Sequence, residues 1–368
     1  MTREVVIGGR RVGAGHPPLV IAELSGNHNQ SLERALALVD AAANAGAHAV
    51  KLQTYTADTM TLDLRAGDFY IEDPQSPWRG KTLHELYRQA HTPWEWHAPI
   101  FERCRARGLI AFSTPFDASA VDFLEQLGVP AYKIASFELT DLALIQRAAR
   151  TGKPLLMSTG MATLDELDDA VRAVRSVSQV GLVLLRCTSA YPATADAANL
   201  RTIPHLRELF DVPVGISDHT PGVGVATAAV ALGAVLVEKH FTLRRADGGV
   251  DAEFSLEPAE LASLVTETER AFRALGEVHY GPTVAERGSL RFRRSLYVTR
   301  AVKTGEPLTL ENVRAIRPAG GLKPKHLASV LGRNAARDLE PGTPLAWELI
   351  SPRSDEVASF ENPLPGDS

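Results

Sequence analysis

Two apolar runs, Val212-Pro-Val-Gly-Ile-Ser-Asp-His-Thr220 and Val235-Leu-Val-Glu-Lys-His-Phe241, flank an uncharged stretch rich in Val and Ala over residues 222–233. Short β-branched runs suit buried strands, and the apolar stretch between them suits a helix packed on a sheet. Together they predict a βαβ unit with parallel strands. His219 and His240 then fall at the carboxyl ends of neighbouring strands, where α/β folds place their chemistry. Two imidazoles there suggest a metal. The pair falls short of the four ligands of a structural zinc site, so water and substrate oxygens would complete the shell of a Lewis-acid ion. The alternative is a pair of hydrogen-bonded structural histidines.

The same alternation runs through the preceding chain. Further strand candidates are Leu19–Leu24, Ala49–Thr54, Leu109–Ser113, Ala131–Ala135, Pro154–Ser158 and Gly181–Cys187, and the last helix is Pro258–Leu275. Eight βα units over this length predict an α/β fold, a (β/α)8 TIM barrel, rather than an open sheet. No Gly-x-Gly-x-x-Gly follows the first strand and no P-loop occurs, so nucleotide binding has no support. Residues 57–108 interrupt the rhythm with Pro74, Pro77 and Gly80 and read as a lid or insertion. The barrel is assigned to 1–275 and a polar linker to 276–290. A small second domain spans 291–352, with a strand over Arg291–Arg300 and a helical turn at Leu310–Val313. The Pro-containing acidic tail, 353–368, reads as disordered.

Polar residues recur at the strand ends. Glu23, Lys51, Gln53, Ser113, Thr114, Lys133, Ser136, Ser158, Thr159, Thr188, Ser189, Tyr191, Ser217, Asp218, His219, Glu238, Lys239 and His240 all converge on the predicted mouth. A serine at a strand end is ordinarily a turn former or a helix cap. Lysines are another matter, because Lys is rarely buried without an anionic partner. Lys51 and Lys133 with several hydroxyls suit a phosphate or carboxylate. Beside a metal, they describe a site for an anionic small molecule next to a polarised oxygen, as in an aldol-type condensation or metal-assisted hydrolysis.

A formal charge of −5 and a pI near 6.1 argue against a nucleic-acid partner. No apolar run approaches membrane-spanning length, and the first twenty residues lack a secretory signal. With only Cys104 and Cys187 the chain is not organised by a disulfide framework, Cys187 reading as an ordinary buried thiol. A reducing cytoplasm fits best.

The motifs Ile21-Ala-Glu-Leu, Asn27-His-Asn, Val50-Lys-Leu-Gln, Phe112-Ser-Thr-Pro-Phe, Tyr132-Lys-Ile-Ala-Ser, Met157-Ser-Thr-Gly-Met, Cys187-Thr-Ser-Ala-Tyr-Pro, Ile216-Ser-Asp-His-Thr and Glu238-Lys-His-Phe-Thr resemble those of the sialic acid synthase family. Members condense phosphoenolpyruvate with an amino-sugar. Residues 291–350 resemble the antifreeze-like, or SAF, domain that follows the barrel in that family. The resemblance implies that His219 and His240 hold Mn²⁺ or Mg²⁺. It implies a phosphoenolpyruvate pocket at Lys51, Thr114, Lys133, Ser136, Ser158 and Ser217. Glu23, Gln53, Tyr191 and Asp251 are implied around the acetamido-sugar, with Glu23 an acid/base or hydroxyl-orienting group and Ser189 standing where many relatives have Asn. It also implies a domain-swapped homodimer in which Arg317 of one protomer reaches the sugar on the other.

Within the family, Leu24-Ser-Gly-Asn-His, Ala90-His-Thr-Pro-Trp-Glu-Trp-His and Glu253-Phe-Ser-Leu-Glu-Pro look more like the pseudaminic acid synthases. Their acceptor is a 2,4-diacetamido-2,4,6-trideoxy-altrose, whose terminal methyl suits a less polar pocket. The alternatives are an N-acetylneuraminate or legionaminic acid synthase with the same chemistry, and a non-catalytic carbohydrate-binding protein. A metal-dependent hydrolase fits less well, because such sites generally need more His and Asp ligands.

Overall fold

The computed structural model describes residues 4–352 apart from Gln75 and Pro77; the expectation for the tail lies outside the described residues. The chain forms two compact units, Met1–Gly276 and Glu277–Ser368.

The first unit begins with a hairpin, β1 (Val5–Ile7) paired antiparallel with β2 (Arg10–Val12). Eight parallel strands follow: β3 (Leu19–Glu23), β4 (Ala49–Thr54), β5 (Ile110–Pro115), β6 (Tyr132–Ile134), β7 (Leu155–Ser158), β8 (Leu182–Cys187), β9 (Val214–Ser217) and β10 (Leu236–His240). They close into a barrel in chain order, β10 pairing with both β9 and β3. Strands buried on both faces need continuous apolar runs, and these supply them: β3, β7, β9 and β10 are buried throughout. The helix between β9 and β10 is Gly224–Ala231, and the last is Pro258–Leu275. One apolar core joins the strands to the helices around them.

Helix starts follow local chemistry. Thr163 and Glu166 form a reciprocal capping box ahead of the helix Leu164–Val177, as Thr82 and Glu85 do ahead of Leu83–Ala90, each satisfying two otherwise unpaired backbone donors. The hairpin packs across the amino ends of the strands. Val5, Ile7 and Val12 join the core, and a Cβ added at Gly181, where β8 begins, would come within 2.7 Å of Val5.

In the second unit β11 (Ser295–Val298) pairs antiparallel with β12 (Val313–Ile316). Leu296, Val298, Val302, Leu308, Val313 and Leu345 centre a separate core. The expected strand over Arg291–Arg300 is shorter, with a 3-10 turn over Arg287–Phe292 before it. At the expected helical turn, Leu310–Val313, the chain makes a single hydrogen-bonded turn, the Asn312 and Val313 amides both donating to the Thr309 carbonyl at 3.2 and 2.9 Å, and no helix continues from it. The Asn312 side chain accepts from the Thr309 amide at 2.8 Å, and Val313 is already the first residue of β12. A side chain bonding the backbone in this way competes with helix.

Candidate active site

Successive strand residues alternate between the two faces of the sheet, and this sorts the polar residues at the barrel's carboxyl end. Lys239 and Asp218 are both buried but meet each other at 2.9 Å. The Lys239 ammonium also donates to the carbonyls of Thr220 and Gly222. Ser113 bonds Thr54, which bonds His97, and Thr159 donates to the Leu185 carbonyl. These four belong to the scaffold, which corrects their assignment to the mouth.

The alternate positions carry charge inward. Pairing places Glu23 beside Lys51 and beside His240, Glu238 beside Ser217, and Gln53 beside Thr114. Lys51 is ion-paired with Glu23 and donates to the Thr114 hydroxyl at 3.0 Å. Lys133 meets Glu238 at 2.8 Å, and Ser217 donates to the same carboxylate oxygen at 2.9 Å. The second Glu238 oxygen lies 3.8 Å from Lys51. Two lysines and two carboxylates thus share one buried layer with no net charge. The anionic partners foreseen for the lysines are first supplied by the protein.

Burial pushes the Glu23 carboxyl upward, against the pull of Lys51 and with a further push from Glu238. Burial acts the same way on Glu238, but there Lys133 and Lys51 prevail and hold it at about 2. Burial lowers Lys133, only partly offset by Glu238. On Lys51 burial is outweighed by Glu23 and Glu238, and its pKa rises. Of the two carboxyls, Glu23 is the one disposed to take up a proton.

Above this layer the His219 and His240 rings lie 5.2 Å apart between centroids. His219 Nδ1 donates to the Thr188 carbonyl at 2.9 Å, so that Nε2 is the atom a neutral ring would offer to a ligand. Burial, then the neighbouring His219, keeps His240 well below the usual histidine range and neutral. Its Nδ1 is buried with no hydrogen-bond partner. Burial lowers His219, but Cys187 and the Thr188 carbonyl outweigh it and raise its pKa, so that ring gives up a proton to hold a divalent ion, whereas His240 is ready to bind one as it stands. Among the described residues no group of three or more His, Cys, Asp and Glu is arranged as a metal cluster, so the pair would need oxygens from elsewhere. Cys187 departs from an ordinary buried thiol. Burial alone would raise it, but His219, with Nδ1 4.0 Å from the sulfur, prevails and holds it at about 7.

Ser136 accepts from the Gly160 amide at 3.1 Å. A Cβ at Gly160 would collide with the hydroxyls of Ser136 and Ser189, so glycine lets three strand-end loops converge. The Ser158 hydroxyl is buried without a partner, a donor available to a bound oxygen. Gln53, Ser189, Tyr191, His240 and Asp251 all line one cavity of about 490 Å³. Asp251 receives the Ser25 hydroxyl and lies 3.8 Å from His240 Nδ1. Arg317 is exposed in the second unit, after β12.

Residue reading gave no role to Glu238, although its signal matches that of Glu23, a carboxylate inside an apolar run. Glu138 was missed outright. It lines the cavity, carries a buried oxygen without a partner, and is pushed by burial to about 7. Nothing in its local sequence marks it, since only the cavity makes it conspicuous.

The NeuB family is matched over residues 38–280, more than half of the chain, and the SAF domain over residues 293–351. The chain belongs to the NeuB family. This NeuB-family chain is 43% identical to the pseudaminic acid synthase of Helicobacter pylori, over 91% of its own length and 98% of that protein's. It is 42% identical to the pseudaminic acid synthase of Campylobacter jejuni strain 81-176, over 89% and 94%. Among solved structures it resembles the N-acetylneuraminic acid synthetase of Leptospira borgpetersenii, in complex with citrate. That match has a TM-score of 0.70 and 34% identity, covering 80% of this chain and 97% of that one. Among the described residues no helix of this NeuB-family enzyme is long and apolar enough to cross a membrane.

Proposed function

We infer that the chain is a pseudaminic acid synthase, condensing phosphoenolpyruvate with 2,4-diacetamido-2,4,6-trideoxy-β-L-altropyranose and water to give pseudaminic acid and phosphate. The observation that carries this is the charge-balanced layer of Lys51, Lys133, Glu23 and Glu238 at a barrel mouth, in a chain this similar to enzymes of that name. The phosphate and carboxylate of phosphoenolpyruvate exchange places with the protein carboxylates around the two ammonium groups. Thr114, Ser136, Ser158 and Ser217 supply further donors. Gln53, Ser189, Tyr191 and Asp251 hold the open-chain sugar so that its aldehyde carbon faces C3 of phosphoenolpyruvate.

Carbon–carbon bond formation uses the enol π electrons, leaving an alkoxide on the sugar and an oxocarbenium-like C2. Water adds at C2 and loses one proton, and C–O cleavage then expels phosphate, which takes the remaining hydroxyl proton as the C2 ketone forms. The alkoxide gains one proton and the attacking water loses one. Glu23, its carboxyl raised by burial and held beside Lys51, is placed to deliver the first and collect the second. His219 and His240 would hold Mn²⁺ or Mg²⁺, which when bound supplies Lewis-acid polarisation of the aldehyde. A homodimer in which Arg317 serves the partner's sugar site completes the proposal, in a reducing cytoplasm that suits the free Cys104 and Cys187.

The test is phosphate release from phosphoenolpyruvate with Mn²⁺ and the altrose sugar, against N-acetylmannosamine and a chelator in parallel. Release with the altrose sugar, abolished by chelator, is expected. Release with N-acetylmannosamine alone would overturn the choice of acceptor. Full activity and retained metal in either His219→Ala or His240→Ala would overturn the metal assignment.

A further inference from the structure

Part of the cavity wall comes from the strand ends; much of the rest comes from the insertion between β4 and β5. Met60, Ile71, Leu83 and Leu86 contribute apolar side chains from that insertion, joined by Phe116 after β5 and Val250 after β10. The insertion is braced as a wall. The Ile71 amide bonds the Lys81 carbonyl at 3.0 Å and the Gly80 amide bonds the Ile71 carbonyl at 2.9 Å, fixing a tight excursion that presents Ile71. Trp78 Nε1 donates to the Val250 carbonyl at 3.2 Å, tying the excursion to the residue preceding Asp251. A Cβ at Gly26 would collide with Val250 and come within 3.1 Å of Ala90, so the first strand-end loop, the insertion and the Val250 loop meet with no space between them.

We propose that this insertion selects the acceptor sugar, with Ile71 and Met60 forming the seat for the methyl-terminated end of an open-chain, doubly acetamidated deoxy-sugar. The inference rests on the pseudaminic acid synthase reading and assigns its specificity to residues outside the barrel strands. The same excursion also brings Asp73 and Ser76 to the cavity, but a hydroxylated tail seated on Ile71 and Met60 themselves would surrender water and find no partner in those two side chains. Conversely, a methyl in an apolar seat is worth about 10- to 200-fold in selectivity.

The experiment uses full-length enzyme and mixtures of the altrose sugar with N-acetylmannosamine, reading product ratio and each substrate's KM. Ile71→Asn is expected to lower kcat/KM for the altrose sugar by about 10-fold or more, through the KM of the sugar, with the KM of phosphoenolpyruvate unmoved. Met60→Gln, on a different element, is expected to shift the ratio in the same direction, and Ile71→Leu to preserve it. Wild-type enzyme active on the altrose sugar, with product ratios unchanged in both polar variants, would overturn the wall and leave the reading intact. Parallel loss on both substrates' KM values would assign Ile71 a structural role and also overturn it. Wild-type enzyme that accepts only N-acetylmannosamine would overturn both.

Discussion

His97 shows how a single side chain is committed by its neighbours. It lies outside the barrel with Nδ1 against the Pro93 carbonyl at 3.3 Å and Nε2 against Thr54 at 2.8 Å, and Thr54 in turn meets Ser113 at 2.6 Å. Nδ1 donates to the Pro93 carbonyl, and burial, outweighing that hydrogen bond, lowers the pKa to about 4 and keeps the ring neutral. The unfolded chain, with histidine near 6.5, binds a proton that the folded chain refuses between those values. Stability from this residue is therefore complete above about pH 6.5 and disappears as pH falls toward 4, a contribution of about 3 kcal/mol. Urea denaturation of wild type and His97→Gln between about pH 7 and 4.5 should give the variant a flatter acid slope; parallel slopes would contradict the assignment. The site lysines tell the opposite story. Their types and strand positions made an anion site readable from sequence, whereas the carboxylates that balance them depend on pairing across the barrel. Glu238 meets Lys133 from a residue 105 positions away, and no local pattern encodes that.

Elements were legible where periodicity alone decides them. All eight barrel strands fall within their apolar runs or a residue or two of them, β9 ending three residues before Thr220, and the helix Pro258–Leu275 matches to the residue. What failed did so where side-chain chemistry overrides pattern. Examples are the Asn312 side chain that caps the 309–313 turn and holds it to a single turn, and the hairpin of three-residue strands too short to show alternation. Facing was the other gap, because Asp218 and Lys239 sit one residue from His219 and His240 yet point the other way. Their role belongs to the element. Lys239 stitches β10 to the loop that carries His219. Lys239→Met leaves Asp218 a buried charge without its partner and should cost about 3–5 kcal/mol. Activity should fall further than loss of folded enzyme explains, as the loop is released. Thermal denaturation alongside kcat on the surviving fraction measures both, and an unchanged midpoint would refute the stitch.

At the scale of the whole molecule the chain builds two cores, one in each unit, so the second can serve a partner without disturbing the barrel. If Arg317 completes the neighbouring protomer's site, then Arg317→Ala and Glu23→Gln proteins, each inactive alone, should regain activity when mixed and allowed to exchange subunits. Inactive mixtures with demonstrated exchange would place Arg317 elsewhere. The barrel itself is stoppered. Val5, Ile7 and Val12 are buried at its amino end; if Lys51 and Lys133 are reached only from the carboxyl end, the barrel is a blind vessel whose reagents share one doorway. Whatever occupies the floor, at Lys51 and Lys133, must arrive first and depart after its companion. Traffic is then compulsory rather than random: inorganic phosphate should compete with phosphoenolpyruvate and not with the sugar, and the sugar should fail to bind the empty enzyme in calorimetry. Tight binding of sugar alone would mean the vessel has a second door.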